Sequence, residues 1–360
     1  MRREHHFRMS EVDALALLRR APFHRLAAVT DDGRPILRAV HGVILDGALH
    51  FHGAPAGEKL EAFGREVVVQ AEEVIAEIPS YFLDAERACP ATTLYQSVQL
   101  HGRLERVEDD DAKARALQAI MERYQPEGGH VPITADDPRY RAAVRGILIA
   151  RVPIAQLDGK AKLGQNRRPE EVARVLEALW RRGAPGDARA VELVARANPE
   201  AALPSVLASP GPGLRLCAAP DRDGPFADEA AALLAGTDWN EGRFTRDELA
   251  RAHRAPGVAW VVCLDEAGAL AGTARAITDG AKHAWVYDVC VVERLRGRRI
   301  GHALMALLLD HPSVRGARYV HLGTRDRMRF YSDLGFVARN DLEARGSTPM
   351  LLDRRPGSLS

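Results

Sequence analysis
The sequence predicts an α+β chain of two unlike halves: an antiparallel β domain with a few helices, then a mixed α/β domain. Three observations predict it. Strand-like runs joined by tight turns dominate up to residue 154, the composition changes between residues 183 and 213, and strands then alternate with helices. At 360 residues the chain is too long for one ordinary core and suits two domains of roughly 150 residues each.

The elements follow in order. A helix begins at Ser10, with Asp13 as its capping partner and Val12, Leu15 and Leu18 as an apolar stripe. Strands follow at 24–30 and 35–45, the second turning at Asp46-Gly47 into a strand at 48–52. An Asp-Gly pair between apolar runs is a two-residue hairpin signal. Residues 67–78 and 95–107 read as strands, and 110–124 as a helix with Ala114, Leu117, Ile120 and Met121 at helical spacing. A strand at 147–154 closes the region. Residues 169–182 form a helix opened by Pro169 and ended by Gly183. Such meander strands predict a small antiparallel barrel over 1–183. Residues 184–212, with a short helical stretch and then Pro204, Pro210 and Pro212, read as a linker. Beyond it come strands at 214–219, 258–264, 270–278, 284–292 and 319–322. Helices are expected at 226–235, 245–255, 299–310 and 326–334, giving a second domain over 213–345 and a strand or tail at 346–360.

Charge and cysteine content exclude several classes. Fifty basic residues against 49 acidic give a net charge of +1, which is not the basic footprint of a nucleic-acid binder. Five of the basic residues are lysine and the other 45 arginine, read as coding bias. Cys89, Cys217, Cys263 and Cys290 are scattered without metal or disulfide spacing, and no apolar run reaches the roughly 18 residues of a membrane span. A cytoplasmic protein with no metal, no membrane partner and no nucleic-acid partner is expected.

The most specific stretch is Val289-Cys290-Val291-Val292-Glu293-Arg294-Leu295-Arg296-Gly297-Arg298-Arg299-Ile300-Gly301. An apolar strand runs through a basic turn into an amphipathic helix. Free amides and the positive end of a helix dipole there suit a pyrophosphate, and the same turn suits a basic surface cap. A later segment, Arg329-Phe330-Tyr331-Ser332-Asp333-Leu334-Gly335-Phe336, follows a strand. Together the two resemble the GNAT acyl-CoA N-acetyltransferases over about residues 213–345. The family's turn pattern R/Q-x-x-G-x-G/A is matched at Arg296 and Gly301 and departs at its middle glycine, where Arg299 stands. Its "FY-x-x-x-GF" context is matched around Tyr331.

The resemblance implies a mixed α/β GNAT fold, acetyl-CoA as co-substrate and a small-molecule primary amine as acceptor. It places the acetyl-CoA pyrophosphate at Arg296, Gly297, Arg298, Arg299, Ile300, Gly301, His302 and Ala303, with the amides of 298–303 as its cradle. Val291 would pair with the pantetheine, and Tyr331 would protonate the leaving thiolate. Asp288, on the motif strand, is the candidate base, with Asp238, Glu241 and His283 as others. Direct attack with water carrying the proton needs none of them.

In the first half the informative stretch is Leu49-His50-Phe51-His52-Gly53-Ala54-Pro55-Ala56-Gly57-Glu58-Lys59. A strand ends in a small-residue loop, and a lysine opens the next turn. This reads either as a phosphate site or as a hairpin exit with an exposed lysine. Arg38 on the preceding hairpin, the strand motif Tyr95-Gln96-Ser97-Val98 and the basic segment 160–167 accompany it. The set resembles the FMN-binding split-barrel group related to pyridoxamine 5'-phosphate oxidase. It is most similar to the branch of small flavin-nucleotide-binding proteins and nitroimidazole-resistance reductases. The branch patterns "yfHGa-x-x-G-x-K" and "Y-x-S-V-x-x-x-G" are matched at 51–59 and 95–102, and the resemblance spans about residues 5–182. It implies an antiparallel split β-barrel and a homodimer with FMN at the interface. Arg38 and Lys59 would hold the phosphate, with His52, Gly53 and Ser97 near the ribityl chain or ring. His41 stands on the second strand either as a ring contact or facing solvent.

The two resemblances together predict an FMN-binding module, with flavin reductase activity left open, fused to an acetyl-CoA-dependent N-acetyltransferase. The alternatives are a non-catalytic flavin and acyl-CoA sensor, or a flavin-dependent (nitro)reductase with a passenger GNAT domain.

Overall fold
The computed structural model describes residues 4–338, so the predicted strand or tail at 346–360 and the end of the second domain lie outside the described residues. The chain divides into two units, Met1–Pro204 and Ser205–Ser360.

In the first unit the elements run α1 (Glu4–Phe7), α2 (Glu11–Arg20), β1 (His24–Val29), β2 (Pro35–Val40), β3 (Gly42–Leu45), β4 (Ala48–Gly53), β5 (Glu66–Ile78), β6 (Thr92–Arg103) and β7 (Glu105–Val107). They continue as α3 (Asp110–Tyr124), α4 (Arg141–Gly146), β8 (Leu148–Pro153), β9 (Gln156–Lys162), α5 (Pro169–Arg182) and α6 (Asp187–Ala197). Two antiparallel sheets, β2-β1-β5-β6-β9 and β3-β4-β8-β7, face one core. Leu26, Val69, Val98 and Leu100 of the first sheet pack with Leu49, Phe51, Ala150 and Val152 of the second, and Leu17 and Leu18 of α2 join the same cluster.

Two runs read as single strands are divided here. The chain leaves one sheet for the other at His41 and at Leu104. At the first corner a Cβ on Gly42 would sit 2.7 Å from Leu49 Cδ1 and 3.0 Å from His24 Nδ1, so the turn inward requires glycine. The Asp46-Gly47 hairpin has both central residues at positive φ, 47° and 70°, as a type I′ turn demands. Helix α5 starts at Pro169 and ends at Gly183 in the left-handed region (φ 64°). Within 184–212, α6 buries Ala190, Val191 and Val194 in the first unit. It is tied to α5 by Arg182, which donates to Asp187 from Nε at 2.8 Å.

In the second unit the order is β10 (Arg215–Cys217), α7 (Phe226–Ala235), α8 (Arg246–Arg254), β11 (Val258–Leu264), β12 (Leu270–Thr278), β13 (His283–Val291), α9 (Ile300–Asp310), β14 (Tyr319–His321) and α10 (Met328–Ser332). The sheet is β10-β11-β12-β13-β14, antiparallel except for the last pair, which is parallel. Trp260 and Val262 face Ala227 and Ala230 of α7. Gly272 lies opposite Cys263, on the alternate face, and there a Cβ would meet Leu304 of α9 at 2.9 Å. Helices thus cover both faces of this sheet.

Candidate functional site
The second unit's site grows out of β13. Its parallel pairing with β14 covers three rungs, from His283 opposite Tyr319 to Trp285 opposite His321, and then stops. Three residues on, Asp288 and Val289 together oppose the single residue Ala274, because Thr273 pairs with Cys290 and Arg275 with Tyr287. That is a β-bulge, with Asp288 at φ 57°. A bulge bends its strand and raises its twist. Beyond the three rungs the β14 side of β13 has no ladder partner among the described residues, and Val291 lies on that gap in the pairing.

The chain then makes a short 3-10 turn, Glu293–Leu295, and enters α9 through two left-handed residues, Gly297 (φ 80°) and Arg299 (φ 58°). Arg299 is the helix N-cap and caps nothing with its side chain. The Ala303 amide donates to the Arg299 carbonyl at 3.1 Å and opens the helical ladder. Among the described residues the amides of 297–302 have no backbone acceptor, so they form an anion seat with the helix dipole behind it. Ala303, placed in that cradle by the motif, gives its amide to the helix instead. Arg296 donates to the Val291 carbonyl (3.4 Å) and Arg298 to the Pro212 carbonyl (3.1 Å), while Arg299 is exposed.

Tyr331 lies on α10. The ring of Phe330 comes within 3.3 Å of where a Gly301 side chain would begin, and it meets His302 edge-on at 4.8 Å. Glycine at 301 therefore lets α10 dock on the first turn of α9. The carbonyl of Tyr331 accepts from the Phe336 amide at 3.0 Å across Gly335 (φ 87°), folding the tyrosine segment on itself. Burial pushes the Tyr331 phenol above its usual value of 10, so it stays protonated.

Three of the four candidate bases are engaged. Asp288 is 8% exposed and pairs with the Arg275 guanidinium. Glu241 accepts from both terminal nitrogens of Arg325, at 2.9 and 3.4 Å. His283 Nδ1 lies 2.9 Å from His321 Nε2, and Asp238 is exposed. Arg275 and Arg325 were not singled out from the sequence; only the pairing of strands and loops reveals them.

In the first unit Lys59 lies over Gly53, its Nζ 3.2 Å from where a Cβ would stand. Arg38 is on edge strand β2 and pairs with Glu58, the neighbour of Lys59. His52 and Gly53 line an open cavity of about 440 Å³ with Ala54, Pro55 and Ile147. Partial burial and the nearby His41 hold the His52 imidazole below its usual range. His41 itself packs between Phe23 and Tyr124, at centroid distances of 4.5 and 5.2 Å. Ser97 lies elsewhere, on the outer face of the five-stranded sheet. It lines a second cavity of about 620 Å³ with Tyr95, Glu72 and Lys160, which shares no residue with the first. One copy of the chain therefore groups Arg38, His52, Gly53 and Lys59 and leaves Ser97 apart.

Residues 10–161 match the pyridoxamine 5'-phosphate oxidase family model, and residues 226–336 match that of the acetyltransferase (GNAT) family. The chain carries a domain of each family. No curated protein matches it. Among solved structures, its first part is similar to the FAD and heme binding protein from Mycobacterium smegmatis (22% identity, 46% of this chain, 77% of that one, TM-score 0.38). The flavocytochrome Anf3 from Azotobacter vinelandii is another such likeness (19%, 46% and 72%, TM-score 0.39). Its second part is similar to a GNAT family protein from Xanthomonas campestris pv. campestris (25%, 39% and 94%, TM-score 0.34). Among the described residues there is no group of three or more histidine, cysteine or acidic side chains able to hold a metal, and no helix long and apolar enough to cross a membrane.

Proposed function
We propose that the chain is an acetyl-CoA-dependent N-acetyltransferase of primary amines joined to an FMN-binding module. The observation that carries the reading is the anion seat at 297–302, directly continuous with the bulged strand and docked against the helix of Tyr331. The seat binds the pyrophosphate, and arginines 296, 298 and 299 add charge. The pantetheine lies along Val291 in the gap beside β14. The amine nitrogen attacks the thioester carbonyl, the carbon–sulfur bond breaks, and the phenol of Tyr331 gives its proton to the leaving thiolate. Water takes the proton of the new ammonium, since Asp288 and Glu241 are each bound to an arginine.

In the first unit Lys59, whose Nζ lies over Gly53, and Arg38, once Glu58 gives way, would supply the cations for a phosphate. FMN bound there would supply two-electron chemistry. His52 and Gly53 would lie beside the bound flavin, and a second copy of the chain would bring its own Ser97 to it. The separation of the two cavities within one copy supports that dimer.

Two measurements test the reading. The purified protein should carry a flavin absorbance or acquire it with added FMN, and failure to do either removes the flavin half. Acetyl transfer to a panel of primary amines should be measurable and should fall about a hundredfold in Tyr331→Phe with CoA affinity unchanged. An unaltered rate removes Tyr331 as the acid.

A further inference from the structure
We propose that Arg275 is a positioning residue for acyl transfer: it holds the bulged backbone of β13 in the shape that opens the gap toward β14. The inference rests on the acetyltransferase reading, since it concerns the strand along which the thioester would lie.

The bulge needs holding. Asp288 sits at φ 57°, in the region where the Cβ of an L-residue crowds the next carbonyl. No glycine relieves it. The chain instead places a buried ion pair there, with Asp288 8% and Arg275 11% exposed. Arg275 is the cross-strand partner of Tyr287, and its guanidinium lies over that ring at 5.2 Å while its Nε donates to the Asp288 carboxylate. The one side chain therefore grips two consecutive residues, the last regular one and the first bulged one.

The third group facing this carboxylate cannot replace Arg275. His253 of α8 is fully buried, its Nδ1 lies 2.8 Å from the Leu249 carbonyl, and its Nε2 has no partner 4.0 Å from Asp288 Oδ2. With the hydrogen on Nδ1, Nε2 turns a lone pair toward the carboxylate. Burial keeps this imidazole neutral by lowering its affinity for a proton. Arg275 is thus the one counter-ion of Asp288 among the described residues. Asp288 accordingly shapes the strand and does not take the proton of the amine.

Glycine distinguishes the two roles, because it adopts φ 57° without any ion pair. On the full chain, acetyl-CoA kinetics, CoA affinity by calorimetry and thermal unfolding are measured for Arg275→Met, Asp288→Val and the double variant Arg275→Met/Asp288→Gly. Both single variants should lower kcat about tenfold or more and weaken CoA several-fold, while the double variant recovers to within about threefold of the parent. Recovery without the carboxylate supports positioning and leaves no place for Asp288 as the base. A double variant as slow as Arg275→Met overturns the proposal, because removing the strain then restores nothing. Should the parent bind CoA but acetylate no amine, the acetyltransferase reading fails separately. The CoA affinities then decide: equal values across all variants overturn the role of Arg275, and weakening with rescue upholds it.

Discussion
Replacing Arg299 separates the two things that residue contributes. It stands at φ 58° as the N-cap of α9, with an exposed guanidinium beside the anion seat. The left-handed conformation costs an L-residue about 1–2 kcal/mol, and glycine escapes that cost while losing about 0.5–1 kcal/mol to its freer unfolded chain. Arg299→Gly should therefore stabilise the second unit by about 0.5–1 kcal/mol, roughly 1–4 °C in Tm for a unit of this size. Arg299→Ala keeps the strain and should not. Both remove one charge near the phosphates. A unit charge about 4 Å from another in water is worth about 1 kcal/mol, or fivefold in affinity, and at 1 M salt the screening length of about 3 Å removes most of it. Calorimetric titration with CoA at low and high salt, beside scanning calorimetry, reads both effects. If glycine proves no more stable than alanine, positive φ is not the strain at this position. If the affinity loss survives 1 M salt, an exposed charge is not what Arg299 supplies.

Three further outcomes are expected. Lys59→Ala should weaken FMN about tenfold by removing the charged donor over Gly53, read as flavin released on dilution. Asp187→Ala strips Arg182 and the Ala184 amide of their buried acceptor and should cost the first unit about 3 kcal/mol in urea unfolding. His311 is pushed down to about 4 from the usual 6.5 by burial, and its Nδ1 accepts from the Ser313 amide. The unfolded chain therefore binds a proton that the folded one refuses between those values. Stability is complete above pH 6.5 and should fall as pH drops toward 4, by about 3 kcal/mol, in a pH series of unfolding curves.

Where local chemistry decides the structure, the sequence could be read closely. Helix α5 is bounded by a proline and a glycine that act without help from the rest of the chain. The strand at 258–264 is an unbroken apolar run between turns, and the Asp46-Gly47 hairpin needs only its own two residues. Strand β9, QLDGKAK, has little apolar alternation and exists because β6 offers it a ladder. The corners at His41 and Leu104 interrupt runs whose pattern is continuous, since both sheets bury their apolar face in one core. The candidate site divides in the same way. The turn residues and Tyr331 were visible as a motif, whereas the bulge at Asp288 was not. An aspartate inside an apolar run, with no glycine after it, does not announce positive φ, and a register shift belongs to a pair of strands rather than to either one. Arg275 becomes visible only across that pair.

The contact between Phe330 and Gly301 acts as a gauge. The edge of the Phe330 ring stands against the first turn of α9, next to Tyr331 in the chain, so packing sets the span from the anion seat to the phenol. On the proposed function, an acyl carrier whose diphosphate-to-sulfur length matches that span would deliver its thiolate to the proton. A truncated pantetheine thioester has the same sulfur but nothing to register against the far end, and it should turn over poorly even where it can enter. Selection of the carrier would then be a matter of length, set by the missing side chain at Gly301.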